Sequence, residues 1–328
     1  MAELKVGTVV EWRTLSPVLA VFRLLPEAGS PFPDYKAGQY MALRREGCRL
    51  TRRVIGQDGR PHFVPDVDDE GHQKIGPVTH SYSISSAPFE TGRDGHLEFY
   101  VVLEKDETGL PGRLTESLFH LRPGEDDRLE YVNRIVGDFT LDKRAAGSAS
   151  VLLVGTGTGL APFLSMVKQL DHEAAAGQAP ASRYTLLHTN RTLEELGYHE
   201  ELLAIEAAAR FDFSYIPSVS RPTSADLENP GLGVGRANNL LRHIYGMPLK
   251  EEEELQQAQA GGGDVSAAQA ALKRAVRPAL PRRVGLPQLR ERLAPSATVV
   301  LTCGNASLMA DIKTIADANG ARFEKEDW

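Results

Sequence analysis

The chain has 328 residues, 41% of them hydrophobic and 25% charged, which suits about two folded domains and excludes wholesale disorder. Acids outnumber bases 44 to 37, a formal net charge of −7, which argues against a general nucleic-acid binder; no apolar run reaches the ~18 residues that a membrane helix needs. Two cysteines, Cys48 and Cys303, cannot frame disulfides, an iron–sulfur cluster or a structural zinc, so any redox centre is something the protein binds, and no metal site is expected.

In chain order, short apolar runs at residues 5–12, 19–25, 40–43 and 97–103, separated by glycine and proline, predict an antiparallel β-barrel or sandwich. After the polar stretch 143–150 the pattern changes. A buried strand at 151–154 runs into a glycine-rich turn and a helix from Pro162. Strand 183–188, helix 193–209, strand 211–217, strand 298–302 and helix 307–318 follow. Strands alternating with helices predict a doubly wound parallel sheet. The expected domains are 1–146 and 147–328, with insertions at about 46–78 and 222–292. The second insertion carries the acidic run Glu251 to Glu254 and then Lys273, Arg274, Arg277, Arg282, Arg283 and Arg290. It reads either as a solvated surface or as a docking site for an acidic electron carrier. The N-terminus has no apolar leader, and the expected setting is the cytoplasm.

Five motifs can carry chemistry, and each also has a plain structural reading. VLLVGTGTGLAPF at 151–163 ends a strand in Gly155, Thr156, Gly157, Thr158 and Gly159 and opens a helix at Pro162. Such a turn brings backbone N–H groups to a phosphate, or is simply a tight connection. Tyr82, flanked by Ser81 and Ser83 and preceded by His80, can stack on a planar ring or mark a strand end. Gly112, Arg113, Leu114 and Thr115 open a helix that can face a diphosphate or be ordinarily capped. Cys303, Gly304 and Asn305 follow a strand, where a small side chain can lie against a ring or be buried core. The chain stops on Trp328 after a charged stretch.

In this order the motifs resemble the ferredoxin–NADP reductase family, especially its bacterial flavodoxin/ferredoxin reductases, over nearly all of the chain outside the two insertions. The resemblance implies an FAD-binding β-barrel, an NADP-binding α/β domain and a flavoprotein oxidoreductase. In that reading Tyr82 stacks on the flavin, Ser83 lies near flavin N5, and Gly112, Leu114 and Thr115 contact FAD phosphate. His80 stands where the family has a pyrophosphate-binding arginine. Gly155, Thr156, Gly157, Thr158, Gly159 and Pro162 would form the NADP pyrophosphate loop. Cys303, with Gly304 and Asn305, would lie beside the nicotinamide, and Trp328 would cover the flavin until nicotinamide displaces it. Ser83, Cys303 and Trp328 are thus the expected catalytic residues.

Arg191, Arg221 and Arg236, with Ser220, resemble the family's set around the 2′-phosphate, a dianion that arginine meets bidentately. No acid stands clearly placed for a free ribose 2′-hydroxyl, which favours NADPH; the alternative is that one or more of these arginines are surface ion-pair residues. The implied activity is hydride transfer between NADP(H) and FAD, with single electrons passing to ferredoxin or flavodoxin. The alternatives are the reductase component of an oxygenase, a free flavin reductase, or a non-catalytic nucleotide-binding regulatory subunit.

Overall fold

A computed structural model describes residues 3–56, 59–262 and 264–326. The chain divides between Asp138 and Phe139 into two compact units. The division falls before the polar stretch expected as the boundary. The Phe139 ring sits 5.7 Å from that of Phe163, and Arg144 pairs with Glu324 over 2.9 Å, so this segment belongs to the second unit.

The first unit contains β1 (Leu4–Ser16), β2 (Leu19–Leu25), β3 (Tyr40–Arg49), β4 (Thr51–Ile55), β5 (Pro61–Pro65), β6 (Ile75–Ser83), α1 (Pro88–Asp94), β7 (Leu97–Val102), α2 (Arg113–Phe119) and β8 (Arg128–Val136). Six strands form an antiparallel sheet in the order β6-β3-β8-β1-β2-β7, and a bridge between Ile84 and Phe99 draws its two edges together. Register shifts within β1 and β3 supply the bends that rolling needs. Alternate residues point inward: Phe22, Met41, Leu43, Phe99, Leu129 and Tyr131 are all buried there. Leu114 and Leu118, one helical turn apart on α2, close the core. Within the expected insertion 46–78, β4 and β5 form a separate hairpin, and the rest completes β3 and β6.

The second unit contains α3 (Leu141–Arg144), β9 (Ser150–Thr156), α4 (Ala161–Ala175), β10 (Arg183–Asn190), α5 (His199–Ala208), β11 (Phe213–Val219), α6 (Ser224–Glu228), β12 (Gly233–Val234), α7 (Ala237–Tyr245), α8 (Lys250–Ala260), α9 (Ser266–Arg274), α10 (Leu286–Arg292), β13 (Thr298–Cys303), α11 (Ala306–Asn319) and β14 (Arg322–Lys325). Its six strands pair in parallel in the order β12-β11-β10-β9-β13-β14. Leu152 and Val154 pack in one cluster with Leu240, Leu241 and Ile244 of α7, Leu289 of α10 and Ile312 of α11. Val151 and Leu153, which strand alternation turns to the opposite face, are equally buried, as both faces of such a sheet require.

Much of the expected insertion 222–292 is therefore part of the domain itself. β12 extends the sheet, and α7 and α10 enter the core. The two-residue β12 is too short to show a strand pattern, and polar Asn238, Asn239, Arg242 and His243 alternate with the buried apolar residues of α7. α8 and α9 have no buried residue and contribute nothing to that core. Among the described residues no helix is long and apolar enough to cross a membrane.

Candidate functional site

From β9 the chain steps outward to β12 and then returns to the other side of β9 as β13. The strand order reverses between these two neighbours, and open parallel sheets bind ligands beyond the carboxyl ends at such a point. Gly155 and Cys303 are register partners there. A turn of 3₁₀ helix, Gly157–Leu160, leads into α4, with Pro162 near its start. A Cβ on Gly159 would overlap the Cys303 carbonyl oxygen and crowd the Gly304 nitrogen at 2.8 Å. Gly304 has φ +136°, and a Cβ there would overlap the Thr156 hydroxyl. Two glycines thus let the expected phosphate loop and the Cys303 loop lie backbone against backbone. Thr156, Gly157 and Thr158 remain partly exposed on this loop. Asn305 caps α11: its side-chain oxygen accepts from the N–H groups of Ser307 at 3.0 Å and Leu308 at 3.3 Å.

Cys303 is 1% exposed, and its thiol donates to Oε2 of Glu326 over 2.8 Å. Glu326 is itself 2% exposed and is positioned by its backbone N–H, which donates to the Thr302 carbonyl at 3.1 Å. Burial, and then the carboxylate, push the Cys303 thiol well above its ordinary range. Cys303 is thus held as a thiol rather than a thiolate nucleophile. Sequence reasoning missed Glu326, whose only signal is its place among the charged residues before the terminus. Trp328, expected as the aromatic cover, lies outside the described residues.

The expected arginines gather where β10, β11 and β12 end. Ser220 N–H donates to the Asn190 carbonyl at 2.9 Å, Arg221 N–H to the Arg191 carbonyl at 2.9 Å, and Gly235 N–H to the Val219 carbonyl at 2.8 Å. Their side chains differ in availability. Arg191 forms a fork with the buried Glu195 carboxylate, Nε to Oε2 at 2.8 Å and Nη2 to Oε1 at 2.6 Å. Arg221 and Arg236 are exposed and make no ion pair among the described residues. The downstream basic run is partly committed to the domain. Arg283 pairs with Glu206, Arg292 pairs with Asp212, and Arg290 donates to the last carbonyls of α7, which weakens its reading as a docking surface.

In the first unit, Tyr82 and His80 share one face of β6, paired with Met41 and Leu43 of β3. Tyr82 packs against the core while keeping part of its surface exposed, and burial raises its hydroxyl above the usual tyrosine range. Ser83 is buried. Gly112 is the N-cap residue of α2, and a Cβ on it would stand 2.7 Å from the Thr115 hydroxyl, which donates to the Gly112 carbonyl at 3.1 Å. The Leu114 side chain is in the core, so only its backbone can serve a ligand. His80 is held below the ordinary imidazole range, first by burial and then by the positive charge of Arg113. Arg113 opens α2 and makes no ion pair among the described residues. A permanently charged base therefore stands close to the position where the resemblance expects one. In the sequence Arg113 is visible only as a member of the 112–115 helix start, with nothing to pair it with His80.

The oxidoreductase NAD-binding domain family matches residues 153–233, the stretch from β9 to β12. Ferredoxin–NADP reductase A of Sorangium cellulosum is 34% identical over 152 residues, covering 44% of this chain and 49% of that protein. A flavohemoprotein of Bordetella pertussis is 32% identical over 155 residues, covering 47% of this chain but 30% of that protein. The chain thus matches about half or less of the length of these relatives. In fold, the chain is similar to a ferredoxin NADP+ reductase from Neisseria gonorrhoeae solved with bound FAD and NADP. That likeness has a TM-score of 0.58 at 18% identity and covers 99% of both chains.

Proposed function

Since the chain belongs to the ferredoxin–NADP reductase family, we propose that it is an FAD-dependent oxidoreductase that takes hydride from NADPH and delivers single electrons to a ferredoxin or flavodoxin. The observation that carries this reading is the crevice at the β9–β13 reversal. There Gly159 and Gly304 leave no room for a Cβ, and Cys303 lies beside the turn. Backbone N–H groups of the 3₁₀ turn and the start of α4 are suited to a pyrophosphate. Arg221, Arg236 and Ser220 are suited to a 2′-phosphate.

The residues of the first unit fit a flavin dinucleotide. Tyr82 is partly exposed at a strand end, buried Ser83 follows it, and Gly112 opens α2 beside Arg113, which has no ion pair among the described residues. When bound, flavin would supply the conversion between a hydride and single electrons. The protein's part is position. Tyr82 would hold the flavin ring, Arg113 would take the phosphate role that His80, held neutral by burial, fills poorly, and the Glu326 carboxylate keeps the Cys303 thiol protonated where a nicotinamide would lie.

A second reading is a reductase module serving another domain or protein, which the flavohemoprotein relatives favour. Purified protein with a flavin absorbance band and dye reduction faster with NADPH than with NADH supports the proposal. Colourless protein that reduces no dye after addition of FAD overturns it. Anaerobic titration with ferredoxin, flavodoxin and a haem domain then separates the carriers.

A further inference from the structure

The second unit contains a cavity of about 320 Å³ lined by Ser220, Arg236, Asn239, Glu251 and Arg274, with small apolar side chains of α9 and the residues after it. Ser220 and Arg236 follow the carboxyl ends of β11 and β12, and Arg274 ends α9. We infer that the α8–α9 hairpin is a wall of the nucleotide site, and that Arg274 is a further specificity-determining cation for the 2′-phosphate of NADPH. This rests on the proposal that the second unit binds that nucleotide.

The hairpin is fixed to the domain. The Asn239 amide donates to Glu251 Oε2 at 2.8 Å, and its oxygen accepts from Lys250 N–H at 3.0 Å. Arg242, 1% exposed, reaches Glu253 of α8 at 2.8 Å with one guanidinium nitrogen and Asp311 of α11 at 2.7 Å with another. A buried arginine between two carboxylates pins the first turns of α8. The bottom of the hairpin is therefore positioned by the same α7 that carries Arg236 at its N-cap.

The wall asks for an anion. Arg236 and Arg274 make no ion pair among the described residues, and Arg274 only donates Nε to the Ala270 carbonyl at 3.2 Å, which leaves its terminal nitrogens available. The lining sets two guanidinium groups, Arg236 and Arg274, against one carboxylate, Glu251, which leaves it net positive. The volume suits part of a nucleotide and exceeds a bare phosphate. β11 stands two strands from β9, roughly 10 Å at ordinary strand spacing, within reach of the adenosine half of a dinucleotide whose pyrophosphate lies on the β9 turn. A dianion met by two or three guanidinium groups is what distinguishes NADPH from NADH.

The test uses the full chain and calorimetric titration with 2′,5′-ADP and with 5′-AMP, which needs no flavin turnover. Wild type should prefer 2′,5′-ADP. Arg274→Ala should weaken 2′,5′-ADP by about tenfold or more and leave 5′-AMP nearly unchanged. Arg274→Lys should retain part of the preference. Arg277→Ala, which removes the same charge from a neighbour outside the cavity, should change neither. If Arg274→Ala behaves as Arg277→Ala while wild type keeps its preference, the role of Arg274 is overturned and the NADPH reading stands. If wild type binds 2′,5′-ADP no better than 5′-AMP, both fall.

Discussion

The Cys303 thiol and the Glu326 carboxylate form a buried hydrogen bond, S to O 2.8 Å, across 23 residues of sequence. β14 runs parallel to β13, and the residue after it returns the acid to the end of β13. A thiol so placed keeps its proton for two separable reasons, burial and a neighbouring negative charge. Glu326→Gln removes the second and leaves the first. Following thiolate absorbance against pH in a Cys48→Ala background should therefore give a lower Cys303 midpoint for the variant than for wild type, still above the ~8.5 of a free thiol. Equal midpoints would contradict the pairing.

The interlocked loops predict a graded glycine series. Gly159→Ala pushes a methyl group into the Cys303 carbonyl and should lower stability by about 1–3 kcal/mol, with loss of nucleotide binding. Gly157→Ala meets nothing within 4 Å and should cost only the left-handed backbone of φ +55°, on the order of 1 kcal/mol. Chemical denaturation of the two variants checks the order, and the reverse order would refute the close approach.

Arg113, rather than His80, should hold flavin phosphate. Flavin retained after extensive dialysis should fall sharply in Arg113→Ala and much less in His80→Ala. A larger loss from the histidine variant would return the role to the position expected from the family resemblance.

The three arginines expected at the 2′-phosphate should not be equivalent. Arg191 is forked to Glu195, whereas Arg221 has no such partner among the described residues. Arg221→Ala should raise KM for NADPH about tenfold or more while sparing NADH. Arg191→Ala should have a smaller effect on that ratio. Steady-state kinetics with both nucleotides decide it.

His188 predicts an acid-sensitive second unit. It is fully buried on β10, its Nδ1 lies 3.0 Å from the Tyr215 hydroxyl, its Nε2 has no partner among the described residues, and burial lowers its pKa to about 3. The unfolded chain binds a proton here below ~6.5, which the native state refuses down to about 3, so stability is lost as pH falls through that window. Between pH 7 and pH 5 the loss from this group is about 2 kcal/mol. His199, also lowered by burial, acts in the same direction, so His188→Gln should reduce the pH slope of urea stability without abolishing it. An unchanged slope would rule out the buried histidine as its source.

The parallel sheet was legible because its strands are continuous apolar runs. The strand expected at 183–188 appears as β10, Arg183–Asn190, and that expected at 298–302 as β13, Thr298–Cys303. The glycine turn was legible because the chemistry lies in consecutive residues. β8 went unread: Arg128, Glu130 and Arg134 interrupt its apolar residues, and only pairing between β1 and β3 makes it a central strand. α7 is not legible as a core helix because its buried apolar residues are separated by polar ones that make their bonds inside the domain, Asn238 and Arg242 to Asp311.

The sequence by itself determined the class of each half, β-rich and then alternating strand and helix, the glycine-rich turn and the order of motifs along the chain, since each is written in local patterns of apolar residues and glycine. Tertiary structure alone decided which charges act together. It set Glu326 against Cys303, placed Arg113 near His80, bound Arg191 to Glu195 and brought Arg274 to the cavity of Ser220 and Arg236. The physical reason is range. Backbone propensity and burial patterns act over a few neighbouring residues, whereas the pKa of a thiol or the availability of a guanidinium depends on groups within a few ångströms in space, which strand order and helix packing bring from distant parts of the chain.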